Sequence, residues 1–118
     1  MLDVENLNRS GLEPARFTVA DGECVALRGR SGAGKTLLMR AIADLDPNSG
    51  QVSLDGDERA AMGAPAWRRQ VAYVPAEPGW WSDTVGDHFS DWAKAEKIIA
   101  DLGLPREARD WPVARAST

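Results

Sequence analysis

The sequence predicts an α/β fold, and three observations predict it. Residues Gly29-Arg30-Ser31-Gly32-Ala33-Gly34-Lys35-Thr36 match the phosphate-binding pattern G-x-x-x-x-G-K-[ST]. A strand-like run, Cys24-Val25-Ala26-Leu27, feeds that loop, and an apolar helical run, Leu37-Leu38-Met39-Arg40-Ala41-Ile42, leaves it. Short segments that alternate apolar and polar residues flank this unit on both sides, as half-buried strands do.

Along the chain, Leu2-Asp3-Val4-Glu5-Asn6-Leu7 is the first expected strand, and Asn8-Arg9-Ser10-Gly11 the turn after it. Ala15 to Val19 is the second strand, with Asp21-Gly22 as a hairpin-type turn. Cys24 to Leu27 is apolar throughout, so a strand covered on both faces is expected there, with Cys24 packed as a small hydrophobe. The helix after the loop places Leu37, Leu38, Ala41, Ile42 and Leu45 on one side. It stops before Asp46-Pro47-Asn48-Ser49-Gly50, a dense run of turn formers. Gln51-Val52-Ser53-Leu54 alternates again and ends at Asp55-Gly56; Val71 to Val74 is the next buried strand, closed by Pro75. Beyond it the pattern turns helical. Thr84-Val85-Gly86-Asp87 fits a capping box, Trp92, Ala95, Ile98, Ile99 and Leu102 recur at helical spacing, Gly103 ends that helix, and Pro105 opens a short one.

The loop's residue types match a chemistry. Glycines let the backbone take φ > 0 and press close to a ligand. Its N–H groups then form an anion nest at the positive end of a helix dipole. Lys35 adds a point charge for phosphate, and the Thr36 hydroxyl is placed to ligate Mg²⁺. Gly29 to Thr36 are therefore the expected residues binding a nucleotide's phosphates, with Lys35 in the catalytic role; Arg30 occupies a variable position and is expected to be exposed. A net charge of −4 over 118 residues, without a basic stripe, argues against nucleic acid as partner. No run approaches the ~20 apolar residues of a membrane span, and nothing at the start resembles a signal peptide. A cytoplasmic location is expected.

Taken together, the segments resemble an ATP-binding cassette ATPase, the nucleotide-binding half of an ABC transporter. Phe17-Thr18-Val19-Ala20-Asp21-Gly22-Glu23 resembles the family's approach to the phosphate loop. Arg40-Ala41-Ile42-Ala43-Asp44-Leu45, then Pro47, Gly50, Val52 and Leu54-Asp55-Gly56, resembles the family's stretch after that loop. Arg69-Gln70-Val71-Ala72-Tyr73-Val74-Pro75 resembles the strand leading to the glutamine loop, and Thr84-Val85 the start of the helical subdomain. The resemblance implies a partial P-loop NTPase: an antiparallel β subdomain plus phosphate-loop core over residues 1–78, and the start of a helical subdomain over 79–118. It implies ATP and Mg²⁺ as cofactors, a second nucleotide-binding domain as dimer partner, and a transmembrane subunit that holds the chain peripherally on the cytoplasmic face.

The sequence departs from the family at three places. Ala76 stands where the family has glutamine, and Glu77 is the adjacent candidate Mg²⁺ ligand. No aromatic residue lies in Asn8-Arg9-Ser10-Gly11-Leu12, which leaves Arg9 to stack on a base. Ala114-Arg115-Ala116-Ser117-Thr118 resembles the approach to the family's signature, so the acidic strand, the catalytic glutamate and the switch histidine are expected outside this chain; His88 comes too early to be that histidine and is expected on the surface. A chain without those parts is expected to bind nucleotide rather than turn it over, and to be poorly stable alone.

Among five tryptophans, Trp92 is expected in the core, and Trp67 and Trp111 in packing roles. Trp80 and Trp81 follow Pro78-Gly79, where the resemblance implies the groove that receives the membrane subunit; they are candidate partner anchors. The leading expectation is the ATP-binding subunit of an ABC transporter, hydrolysing Mg·ATP as the complete protein to drive transport. The alternatives are a soluble cassette ATPase, or a regulatory nucleotide-binding module, without a transport partner. A P-loop kinase would share the loop but leaves Leu54-Asp55-Gly56 and Val71 to Pro75 unexplained.

Overall fold

The first strand carries Val4 and Leu7 three residues apart, a spacing that strict alternation would send to opposite faces. The computed structural model, which describes residues 1–77 and 79–116, resolves this with a bulge. Strand β1 (Leu2–Arg9) pairs antiparallel with β2 (Leu12–Val19) on one side and β3 (Ser49–Leu54) on the other; the register with β2 shifts between Val4 and Leu7, and that with β3 between Glu5 and Asn8. Asn6 takes φ 49° at that shift, a conformation asparagine tolerates better than most residues. The extra residue puts Val4 and Leu7 in phase, and both are buried.

A two-residue strand, β4 (Asp57–Glu58), completes a sheet in the order β2-β1-β3-β4. Asp55 and Gly56 both have positive φ between the paired residues Leu54 and Asp57, the geometry of the two-residue hairpin turn that Asp-Gly favours. Helix α1 (Lys35–Ile42) and helix α2 (Ala64–Gln70) cover one face of the sheet. Val4, Leu7, Val52, Leu38, Ala41 and Trp67 form the buried cluster, with Trp67 wholly buried as its type in that setting suggested. Each large side chain fully buried there contributes roughly 1.5–3 kcal/mol.

Contacts divide the chain into two units, Met1–Tyr73 and Val74–Thr118. The second holds helix α3 (Trp92–Asp101), a 3₁₀ turn at Arg106–Asp110 and a last short helix α4 (Val113–Ala116). Asp91 caps α3 by accepting from the Lys94 amide at 3.3 Å. Gly103, at φ 76°, ends the helix; its N–H reaches Ala100 and the Leu104 N–H reaches Ile99, a Schellman closure. Pro105 then opens the 3₁₀ turn.

Four expectations are corrected. Cys24 to Leu27 forms no ladder: the segment has no regular secondary structure, Cys24 is exposed, and Val25 and Leu27 are 54% and 47% exposed. Val71 to Val74 likewise pairs with nothing, and Val74 is exposed. The physical reason is shared. An all-apolar strand is stable only between partners that fill its hydrogen bonds and cover both faces, and the described residues supply no such partners. Thr84 to Asp87 opens a 3₁₀ turn, Gly86–His88, rather than a helix; hydrogen bonds from Thr84 and Ser82 to the Asp87 carboxylate hold it below the usual carboxylate range. On α3 only Ile99 is buried; Trp92 is partly covered, stacked edge-on against Phe89 at 5.3 Å, while Ile98 and Leu102 are exposed. Pro78, and the approach to a signature at Ser117 and Thr118, lie outside the described residues.

Gly50 and Asp46 make this architecture testable. Gly50 has φ 100°, and a Cβ there would sit 2.3 Å from the Asn6 carbonyl oxygen, a backbone atom that cannot yield. Gly50→Ala is expected to cost about 3 kcal/mol, combining the overpacking and left-handed penalties, measured as a shift in urea midpoint. Asp46 accepts from Arg40 at 2.8 and 2.9 Å and also from Arg9, and these partners, Arg40 foremost, hold its carboxyl down at about 2. A depressed carboxyl contributes stability that is complete above its unfolded pKa, near 4, and is lost as pH falls through 2. Asp46→Asn should lower stability at pH 6 and flatten the loss between pH 4 and 2, read by thermal melts across that range.

Candidate nucleotide-binding site

The loop between β2 and α1 is exposed from Asp21 to Ala33. Its conformation is set by two left-handed glycines, Gly32 at φ 81° and Gly34 at φ 97°. Gly32 faces open space, so its requirement is backbone geometry alone. At Gly34 a Cβ would also press on Leu12 Cδ1 at 3.2 Å, so this position needs glycine twice over. Gly34 is also the N-cap of α1 and offers no side-chain acceptor. The first intrahelical bond runs from the Leu38 N–H to the Gly34 carbonyl at 2.9 Å. The N–H groups of Lys35, Thr36 and Leu37 precede it and have no carbonyl one turn back within the helix.

Lys35 lies partly buried with its ammonium against two carbonyls, donating to Gly29 O and Arg30 O at 2.7 Å each. The Ala33 N–H closes the turn onto Arg30 O at 3.1 Å. Ser31, Gly32, Gly34, Lys35, Thr36 and Leu37 line an open cavity of about 290 Å³. A cavity of that size, with helix-terminal amides and one ammonium, suits the phosphate tail of a nucleotide; Thr36 is exposed at its rim with a hydroxyl available to a cation. Of the expected residues, Ser31, Gly32, Gly34, Lys35 and Thr36 line the cavity, Gly29 and Arg30 meet Lys35 through their carbonyls, and Arg30 is exposed.

The candidates outside the loop stand differently. Arg9 is committed to Asp46, so its guanidinium is not offered to a base. Glu77 belongs to the second unit and is exposed beside exposed Ala76. Among the described residues no group of three or more His, Cys, Asp or Glu is placed to hold a metal ion. No helix among them is long and apolar enough to cross a membrane.

In the second unit, Trp80 and Trp81 are 38% and 76% exposed and both rings rest on His88, at 5.0 and 4.4 Å. His88 is more than a surface residue. Its Nε2 accepts from the Trp81 and Ser82 amides at 3.1 and 3.3 Å, and its Nδ1 donates to the Thr84 carbonyl at 2.8 Å. That pattern needs a neutral ring and ties the loop into a knot. No spacing rule in the sequence marks such a side chain-to-backbone role. Trp80, Trp81, Phe89, Leu104 and Trp111 border an apolar groove of about 610 Å³, and Arg115 stacks over Trp111 at 4.3 Å.

A sequence model of the ABC transporter family matches residues 12–117. The chain is similar to the ATP-dependent lipid A-core flippase of Paraburkholderia xenovorans, 36% identical over an alignment of 112 residues that covers 92% of this chain and 18% of the flippase. It is similar to the aliphatic sulfonates import ATP-binding protein SsuB of Frankia casuarinae, 36% identical over 91% of this chain and 34% of that protein. It is 42% identical over 79 residues, 62% of this chain and 22% of the relative, to the sulfate/thiosulfate import ATP-binding protein CysA of Bradyrhizobium diazoefficiens. The chain thus spans about a fifth to a third of the length of these relatives. With the loop in the geometry its glycines require and a family match from strand β2 onward, the chain belongs to the ABC transporter family.

Proposed function

We propose that this chain binds Mg·ATP through Gly29 to Thr36 as part of the ATP-binding subunit of an ABC transporter, whose hydrolysis drives transport across a membrane. The observation that carries this is the pairing of uncapped α1 amides with the Lys35 ammonium around one polar cavity. The α1 amides hold the phosphate oxygens, and Lys35 balances charge as it shifts between them; Thr36 is the Mg²⁺ ligand of the loop. Bound Mg²⁺ would neutralise the phosphates and leave the residues of this chain to position them. Glu77 is proposed, on the family resemblance alone, as a second cation contact in place of the glutamine that Ala76 replaces. The relatives are named as a flippase and as import ATP-binding proteins, which supports a role in transport. A membrane subunit and a second nucleotide-binding domain as partners, and a peripheral cytoplasmic placement, are part of the same proposal and rest on the family resemblance.

Calorimetry tests the site. Mg·ATP should release heat with the wild-type protein, and Lys35→Ala should weaken binding at least tenfold, since it removes the cation and re-exposes two carbonyls. Glu77→Ala should leave nucleotide affinity within about threefold but lower the hydrolysis rate of the complete protein. An unchanged rate would remove Glu77 from the reaction. No hydrolysis at all, with binding intact, would favour the regulatory module that Ala76 also permits.

Trp80 and Trp81 are the proposed anchors for the membrane subunit, supported by their exposure and by the apolar groove they border. Changing both to Ala should weaken co-purification with the membrane subunit while Mg·ATP affinity stays within twofold. Parallel loss of both would show damage to the fold instead.

A further inference from the structure

The far end of helix α1 is held by donors that its own backbone does not supply. Asp44 takes φ 56° and closes the helix as glycine usually does: its N–H reaches Ala41 O at 3.1 Å, and the Leu45 N–H reaches Arg40 O at 3.0 Å. Beyond that closure three side chains reach in from residues 59–68. Arg59, itself buried, donates to Ala41 O at 2.6 Å and to Asn48 Oδ1 at 2.5 Å, with Asp44 Oδ1 3.9 Å from its Nε. Trp67 Nε1 donates to Ile42 O at 2.8 Å, and Arg68 to Asp44 O at 2.7 Å. Carbonyls that a helix end leaves over are thus taken by cations and an indole, where positive charge also suits the dipole.

We propose that Arg59, with Trp67 and Arg68, is a positioning clamp for the nucleotide site, acting through α1 on the amides of Gly34, Lys35 and Thr36. The clamp rests on the reading that this loop holds a triphosphate, and it works mechanically. The loop from Asp21 to Ala33 is exposed, and the bonds that hold its nest segment among the described residues, Lys35 to Gly29 O and Arg30 O and the Ala33 N–H to Arg30 O, tie it to itself and to α1, so the placement of the amides follows that of the helix. Helix α1 can, being a rod of about 12 Å. Leu38 and Ala41 set its height over the sheet, but apolar packing is non-directional and allows sliding along the axis. Hydrogen bonds to the terminal carbonyls oppose that sliding. A slip of about 1 Å at the nest is enough to cost orders of magnitude in a positioned reaction.

The test compares Arg59→Met, Arg59→Lys and Leu54→Ala with wild type in the full-length protein. Leu54, partly buried on β3, lies outside the clamp and serves as a control for lost stability alone. Two readouts are taken: the amide NMR shifts of Gly34 and Lys35 without ligand, and the affinity for Mg·ADP by calorimetry. Arg59→Met should move both amide signals and weaken Mg·ADP at least tenfold. Arg59→Lys, which keeps the charge without the fork, should recover part of that loss. Leu54→Ala should lower the melting temperature with affinity within twofold. Wild-type affinity in Arg59→Met, or an equal loss in Leu54→Ala, overturns the clamp and leaves the nucleotide reading standing. No heat from wild type overturns the nucleotide reading, and the clamp with it.

Discussion

Helix α1 is eight residues long, and a helix of that length does not hold itself together in water. The candidate site requires that it be held nevertheless, because its first turn is the proposed anion nest. The usual remedy at a helix start is a Ser, Thr, Asp or Asn whose side chain takes one of the loose amides. Here that remedy would compete with the ligand for the same N–H groups. Gly34 occupies the cap position instead and takes none of them. The helix forgoes a few tenths of a kcal/mol at that end. It is fastened at the other end and from below: Leu38 and Ala41 press into the sheet, and the terminal carbonyls are met by Arg59, Trp67 and Arg68. An open start and a closed finish are one arrangement, since each end would fail without the other.

The sheet serves the same end. Its bulge at Asn6 turns two apolar residues, spaced wrongly for a regular strand, onto one face, and that face is the floor on which Leu38, Ala41 and Trp67 rest. Gly50 makes room for the bulge by letting the β3 backbone approach the Asn6 carbonyl. The Arg9–Asp46–Arg40 cluster then joins the end of β1 to α1 through one carboxylate, which accounts for its depressed pKa and for the loss of Arg9 as a base contact.

What the sequence made legible divides along a physical line. Local chemistry could be read: the glycines at 32 and 34, the Asp55-Gly56 turn and the Gly103 stop each depend on a few neighbouring residues. Pairing could not. Cys24 to Leu27 and Val71 to Val74 have strand composition, but a strand is a relation between segments, and among the described residues neither segment finds its other half. The same holds for α3, where the periodicity of Ile98, Ile99 and Leu102 is real while only Ile99 is covered. Asp44 at positive φ and the anchoring of the 81–84 loop by His88 were illegible for another reason: both depend on side chains meeting backbone at positions that no composition rule marks.

The geometry of Lys35 bears on how tightly such a loop can bind. Two carbonyl oxygens, of Gly29 and Arg30, point to where the ammonium sits, and without it they would repel an incoming phosphate. Lys35 satisfies both and keeps one N–H for the ligand, since an ammonium has three. It is therefore already ordered before anything binds, and the rotamer entropy that a long flexible side chain would lose on binding has been lost in folding. Removing the cation does two things at once, deleting an attraction and uncovering two oxygens. Exchanging it for arginine is no remedy, because a planar fork cannot fill the compact space between those carbonyls. The loop's own backbone thus gives lysine a reason to stand at this position that is independent of the phosphate it is proposed to bind.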